Sequence, residues 1–452
     1  MKAILLDGSL TNDNTGQRVN TAVVTELQNQ GWEVAKFSLR EQKIGNCAGD
    51  FFCWIRTPGV CNVNDDNRAI AQELVNSDLL VYLTPITFGG YSSTLKGMVD
   101  HQIQVVSPFF TKIEGETHHH RRYKQNPDLL AVGWLDAPDA HSEALFRHLV
   151  QLNAINWHAK KYASGVVFSN QSAGEMAVSA QKWVNDLGNG LPPSRVALPI
   201  NGNHSTVTST DSAKQSWATS DPGSVVIRRA LLLVGSPKTR KSTSNSLGGY
   251  LFEQLETLGI QTETIYLHTV LRNAKKMQAL LEALEVTDLV TLAFPIYVDA
   301  LPAPVTEALE HIAVYRQGRE PSQRPMFTAI ANCGFPEAHH CSTALAICET
   351  FSRQAGFEWS GSLALGGGQM LNGTSLVEAG GMAIRIRKSL EDSAIALAQG
   401  QAVPQTAQEM MAKPVIPHMA YRLMSGFRWL VDAKSYGSLR SLRSRPYLSK
   451  AG

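Results

Sequence analysis

No stretch of this 452-residue sequence reaches the about 20 consecutive apolar residues of a membrane-spanning helix. Neither sign of charge predominates. A net charge of +2 removes the electrostatic basis for an obligate nucleic-acid partner. Cysteine is sparse, with six residues unevenly placed. In a reducing compartment such thiols are buried, redox-active or metal-bound rather than paired in a disulfide framework. The opening MKAILLDGS holds only four apolar residues in a row before Asp7, too few for a signal-peptide core, so a cytoplasmic protein is expected. What is present is 43% apolar against 18% charged residues, a globular balance, and enough length for two domains rather than one.

The chain repeats itself. Residues 2–6, KAILL, read as a buried parallel strand stopped by Asp7-Gly8-Ser9. A helix with Val19, Ala22, Val23 and Leu27 at helical spacing follows, ending at Gly31. Strands at 32–38, 79–83, near 129–135 and near 163–168 alternate with helices at 66–77, roughly 92–106 and near 139–157. From residue 229 the same order begins again, with strands at 261–267, 288–294, 326–332 and 360–365 and a last helix near 377–399. Strands alternating with helices imply right-handed crossovers and doubly wound parallel sheets. The expected organisation is one α/β domain at 1–187, a Gly/Pro/Ser/Thr-rich linker at 188–226, a second domain at 227–400 and a tail at 401–452. From residue 418 the tail carries seven Lys/Arg against one acid, Asp432, with aromatic residues interleaved. Packing of this tail on its own or a neighbouring subunit is expected ahead of a membrane-surface or nucleic-acid role.

Ligands of open α/β sheets bind beyond the carboxyl ends of the strands. The loop after the first strand of each half has the chemistry for a phosphate monoester: hydroxyls and backbone N–H groups converging on a helix N-terminus. The candidates are Ser9, Thr11, Asn14 and Thr15 in the first half, and Ser236, Lys238, Ser242, Thr243 and Ser244 in the second. Neither loop has the spacing of a Walker A or dinucleotide motif, and the monophosphate of FMN suits both. After the third strand comes a proline loop, Pro85, Ile86, Thr87, Phe88, Gly89 and Tyr91 in the first half and Pro295, Ile296 and Tyr297 in the second. A flat isoalloxazine needs backbone close to its polar edge and an apolar or aromatic face, and a paired glycine lets the chain approach.

TPITFGGYSSTLKGMVD resembles the flavin-contacting segment of NADPH-dependent FMN reductases of the flavodoxin superfamily, and GNCAGDFFCWIRTPGVCNVNDD resembles the cysteine insert of their iron–sulfur-flavoprotein-like branch. The second half resembles them more loosely, through GSPK, KSTS, FPIYVDALP, CGFPEAHH and GGGQML. The resemblance implies two tandem flavodoxin-like five-stranded parallel sheets, each a three-layer αβα sandwich, plus a helical C-terminal tail. It also implies FMN as cofactor, NAD(P)H as co-substrate and a small-molecule acceptor or redox protein as partner. The first half is expected to hold the better-equipped FMN site, because FPIYVDALPAP lacks the glycine pair. Flavin carries out the chemistry, so no catalytic side chain is expected. The alternative is a non-enzymatic electron carrier. Family members form flavin sites between subunits, so a homodimer is implied, unless the linked second domain substitutes for the partner.

Three cysteines, Cys47, Cys53 and Cys61, fall where the branch places three of its four cluster ligands, but the fourth place is Asp50. A carboxylate is a harder and poorer match for a cluster than thiolate, so no iron–sulfur cluster is expected. His118-His119-His120-Arg121-Arg122 is expected in a solvated loop or subunit contact, and His339-His340-Cys341 at a cleft edge or a helix start.

Overall fold

The structure, a computed structural model, describes residues 1–189, 226–319 and 324–448. Apart from its ends, the expected linker at 188–226 lies outside the described residues. In chain order the first unit runs β1 (Lys2–Asp7), α1 (Asn14–Asn29), β2 (Glu33–Ser38), α2 (Phe52–Ile55), α3 (Asn67–Val75), β3 (Leu79–Thr87), β4 (Gly90–Tyr91) and α4 (Ser93–His101). It continues with β5 (Val106–Ile113), β6 (Glu116–Arg121), β7 (Asp128–Leu135), α5 (Ala140–Asn156), β8 (Tyr162–Phe168) and α6 (Ala173–Asn189). The second runs β9 (Arg229–Val234), α7 (Thr243–Thr257), β10 (Gln261–Tyr266), α8 (Leu267–Val270), α9 (Ala274–Glu285), β11 (Leu289–Pro295), α10 (Ala303–Arg316), β12 (Met326–Asn332), α11 (Ser342–Gln354), β13 (Glu358–Leu365) and α12 (Ile384–Ala398). The tail adds α13 (Gln405–Ala412) and α14 (His418–Ser435).

Two parallel sheets result, ordered β2-β1-β3-β7-β8 and β10-β9-β11-β12-β13, the same order twice. Each central strand is apolar on both faces because helices cover both. Ala3–Leu6 and Ala230–Val234 are buried throughout. The flavodoxin-like α/β architecture and the tandem repeat are therefore as the sequence implies.

The two units face each other as a pseudo-dimer. Helix α4 packs on its counterpart α10, and α5 on its counterpart α11, the self-matching arrangement of a two-fold interface. Charged side chains pin it. Ser93 donates its N–H and Oγ to Glu310 at 2.9 and 2.5 Å. Buried Lys96 pairs with Asp100 and donates to the Tyr297 carbonyl at 2.8 Å, while Asp100 accepts the Ala303 N–H at 2.8 Å.

Three local expectations are corrected. The His118–Arg122 segment is no solvated loop. His118–Arg121 belong to strand β6 of the β5–β6 hairpin, His118 and Arg122 are buried, and the half-buried His119 packs among the rings of Trp54, Phe110 and Phe335. The expected helix over 92–106 ends at His101 and tightens into a 3₁₀ turn, Gln102–Val105. The last helix begins at Ile384, later than 377, behind a 3₁₀ turn at Gly380–Ala383. As expected, the tail packs on its own chain. Arg122 donates to the Leu442 and Ser444 carbonyls at 3.1 and 3.0 Å, Ser438 donates to the Ile55 carbonyl at 2.5 Å, and Tyr447 donates to Gln104 at 2.9 Å.

Candidate functional site

The two phosphate-type loops have diverged in what fills them. In the first unit, the buried Asp7 accepts hydrogen bonds from Ser9 N–H and Oγ at 3.0 and 2.5 Å and from Asn20 at 2.9 Å. Asp13 caps α1 by accepting the Gly16 N–H at 2.8 Å, and its other oxygen accepts the Trp134 indole N–H at 3.0 Å. The Trp134 ring lies against Gly16, where an added Cβ would come within 2.8 Å of it. Two carboxylates and an indole therefore crowd the loop before α1, and Thr11 and Asn14 are exposed.

The proline loop of the first unit is also committed elsewhere. The Phe88 ring packs edge-on against Phe351 of α11 at 5.1 Å, Tyr91 donates to Asn153 at 2.9 Å, and Gly89 lies against Leu145. Of the residues read as a flavin wall, Phe88 packs across to the second unit, while Gly89 and Tyr91 pack on α5 of their own unit.

In the second unit the corresponding positions are open. Val234 stands where β1 has Asp7, Asn332 where β7 has Trp134, and Ser242 where Asp13 caps the helix. A cavity of about 260 Å³ lies over this loop. All eight candidates of the second half, Ser236, Lys238, Ser242, Thr243, Ser244, Pro295, Ile296 and Tyr297, line it, and none of the ten from the first half does. Ser242 holds the α7 N-terminus by accepting the Asn245 N–H at 3.1 Å, and Ser244 accepts from Asn332 at 2.9 Å. The loop's turn is made without glycine. Val298 and Asp299 take φ of 46° and 61°, matching Phe88 and Gly89 at 53° and 84°. Positive φ at a β-branched residue is strained. Here it is held by the Lys96 bond to the Tyr297 carbonyl and by Asp299, which accepts Asn153 and Asn156 amides at 2.9 and 2.6 Å. Burial pushes the Asp299 carboxyl above its ordinary range.

The first unit supplies the cover. The loop bearing Cys47, Asp50, Cys53 and Cys61 lines the cavity from the opposite side, and Gly49 lets the Tyr297 hydroxyl lie where a Cβ would come within 1.9 Å. Phe51 stacks on Trp54 at 5.0 Å, and Trp429 of α14 meets Trp54 edge-on at 5.2 Å. Phe110, His119 and Phe335 continue this aromatic wall. Lys238 lies over the Phe51 ring at 5.7 Å, and desolvation holds its ammonium below the ordinary lysine range. Lys241, Asn332 and Trp429 also line the cavity and are not among the residues the sequence reading assigned to a cofactor. Lys241 was legible as a cation inside the loop, whereas Trp429 is brought in by a tail remote in sequence.

The donor set fits an FMN-like anion with an aromatic ring. It has a cationic, hydroxyl-rich helix N-terminus at one end and an apolar wall at the other. Trp157 and Trp429 also line the cavity, and their indole N–H groups are buried with no hydrogen-bond partner among the described residues. The cysteine loop of the first unit offers a cluster three thiols and a carboxylate rather than four thiolates. The three thiols share the cavity with Asp50, whose carboxylate already accepts the Phe52 N–H at 2.9 Å, and Cys333 donates to the Phe335 carbonyl at 3.2 Å. Burial pushes the Cys47 thiol up to about 12 and Cys53 well above its ordinary value. Protein purified without oxygen should contain less than one iron and one sulfide per chain. Stoichiometric cluster content would overturn this reading.

His119 carries a pH prediction. Burial drives its pKa down from 6.5 to about 3, with the neighbouring His118, His158 and His120 adding repulsion. The folded protein therefore holds this proton less tightly than the unfolded chain. Stability from neutral His119 is present above pH 6.5 and is lost on acidification, about 2 kcal/mol by pH 5. His119→Phe should flatten that part of a denaturation-against-pH curve. An unchanged slope would place the titration elsewhere.

Residues 1–169 match the NADPH-dependent FMN reductase family. The chain is 26% identical over 103 residues to an iron-sulfur flavoprotein of Archaeoglobus fulgidus, covering 23% of this chain and 46% of that protein. It is also 26% identical over 100 residues to one of Methanocaldococcus jannaschii, covering 22% and 51%. It thus spans about half the length of the curated relatives it matches. Among solved structures, an FMN-dependent NADH-azoreductase from Bacillus anthracis aligns at 15% identity over 38% of this chain and all of its own, with a TM-score of 0.29. An NAD(P)H:quinone oxidoreductase from Methanothermobacter marburgensis aligns at 14% over 37% and 96%, also with a TM-score of 0.29. The family match covers the unit with the closed loops, while the open cavity belongs to its repeat.

Proposed function

We propose that this chain is an FMN-dependent NAD(P)H oxidoreductase with a single flavin site, in which the second unit holds the cofactor and the first acts as its fixed partner. The family match of residues 1–169 supports the reaction class. The observation that carries the single-site reading is the contrast between Asp7, Asp13 and Trp134 in one loop and Val234, Ser242 and Asn332 in the other.

FMN, when bound, would accept a hydride from the nicotinamide and pass electrons to a second substrate. Ser236, Ser242, Ser244 and Lys241 would bind and neutralise its phosphate at the α7 N-terminus. Backbone groups of the 295–299 turn would face the ring's polar edge, held in place by Lys96 and Asp299. Phe51, Trp54 and Trp429 would exclude water from its apolar side. No side chain is needed as general acid or base. The aromatic wall favours a flat acceptor of the quinone or flavin class. The six unpaired thiols suit a cytoplasmic setting.

Anaerobic stopped-flow mixing with NADH and NADPH is expected to bleach the bound flavin, and protein-based stoichiometry to approach one FMN per chain. Absence of bleaching by either nucleotide would reduce the protein to an electron carrier, and two FMN per chain would overturn the single-site reading.

A further inference from the structure

Helix α14 has two faces of opposite environment. Tyr421, Trp429 and Ala433 are buried inward, with Tyr421 donating to the Gly334 carbonyl at 2.7 Å and Trp429 lining the cavity. The outward face is apolar. Met419, Leu423, Phe427, Leu430 and Val431, at spacings of four, four, three and one, are 75, 70, 69, 41 and 49% exposed, and Met424 beside them is 52% exposed. Scattered exposed apolar residues are ordinary, but a contiguous stripe along four turns of one helix marks a surface that is covered in use. The tail that carries it is basic. Arg428, Lys434, Arg440, Arg443 and Arg445 are exposed, and Asp432 is the single acid from residue 418 onward. No helix among the described residues is long and apolar enough to cross a membrane.

We propose that α14 is an in-plane membrane-docking helix that seats the protein on a bilayer bearing anionic lipid. An apolar stripe sinks into the acyl boundary while flanking cations meet headgroup phosphates, and the charge complementarity of this tail selects an anionic bilayer. A second copy of the chain would bring the same cations face to face across a two-fold axis, where like charges oppose association. Because α14 is also a wall of the cavity, docking places the bilayer against the outside of that wall. The inference stands on the tail alone and does not depend on the flavin reading.

Full-length protein should co-sediment with vesicles of equimolar phosphatidylcholine and phosphatidylserine, and bind at least about tenfold more weakly to pure phosphatidylcholine or in high salt. Leu423→Glu combined with Phe427→Glu should lose about tenfold or more in binding, with circular dichroism and thermal midpoint unchanged because both side chains are exposed. Phe427→Trp should be quenched by brominated acyl chains. Equal binding of wild type and double variant would overturn the proposal. So would a wild-type dimer in light scattering that the double variant converts to monomer with neither binding vesicles; the stripe would then be an interface between copies.

Discussion

Ser242→Asp is expected to weaken FMN binding by about 100-fold or more while leaving the fold intact. Aspartate caps a helix as well as serine does, and the Asn245 N–H that Ser242 now accepts at 3.1 Å would find a carboxylate instead. One neutral hydrogen bond, Ser242 to the Thr239 carbonyl at 2.6 Å, is lost, a cost of about 1 kcal/mol. A carboxylate about 5 Å from a phosphate dianion, at an effective dielectric of about 20, is disfavoured by several kcal/mol, and half of that suffices for the loss. The substitution installs in the open loop the group that Asp13 supplies in the closed one. Fluorescence titration of apoprotein with FMN measures the effect. An affinity within threefold of wild type would remove the phosphate from the α7 N-terminus. The reciprocal Asp13→Ser should leave flavin stoichiometry unchanged.

Lys96→Met should be the most destabilising single change at the interface. It removes the cation from a fully buried pair, leaving Asp100 unpaired and freeing the Tyr297 carbonyl. Such a loss costs about 3–5 kcal/mol. Adding Asp100→Asn should recover most of it, since an amide oxygen still accepts the Ala303 N–H. Burial already raises the Asp100 pKa in the folded protein despite Lys96. Without the cation it rises further, so the deficit grows as pH climbs through the folded value and is smallest below the ordinary carboxylate range. Urea unfolding of the single and double variants from pH 4 to 8 checks both statements. Equal stabilities of the two would show that Asp100 is not left as a buried charge.

The repeat was readable because its signals are local. Strands such as Leu79–Leu83 and Leu289–Phe294 are buried on both faces and so are apolar without alternation, and helix ends carry their own caps, as at Asp13, Gly31 and Ser242. The β5–β6 hairpin was not readable, because a run of three histidines and two arginines reads as solvated unless aromatic rings from other segments enclose it. The site was readable as two candidate loops but not as one. Phe88-Gly89-Gly90 advertises conformational freedom, yet Val298-Asp299 takes the same turn because Lys96, Asn153 and Asn156, distant in sequence, hold it there.

The sequence by itself determined two doubly wound sheets in tandem, two loops with hydroxyls at a helix N-terminus, and a basic, aromatic tail. These follow from periodicity and capping within a few residues. Tertiary structure alone decided which loop stays open. A phosphate site depends on what stands across from it, and Trp134 filling one loop while Asn332 leaves the other free is a matter of neighbouring strands. It also decided that the tail turns Trp429 inward and Phe427 outward, dividing one helix between the wall of a cavity and the surface beyond it.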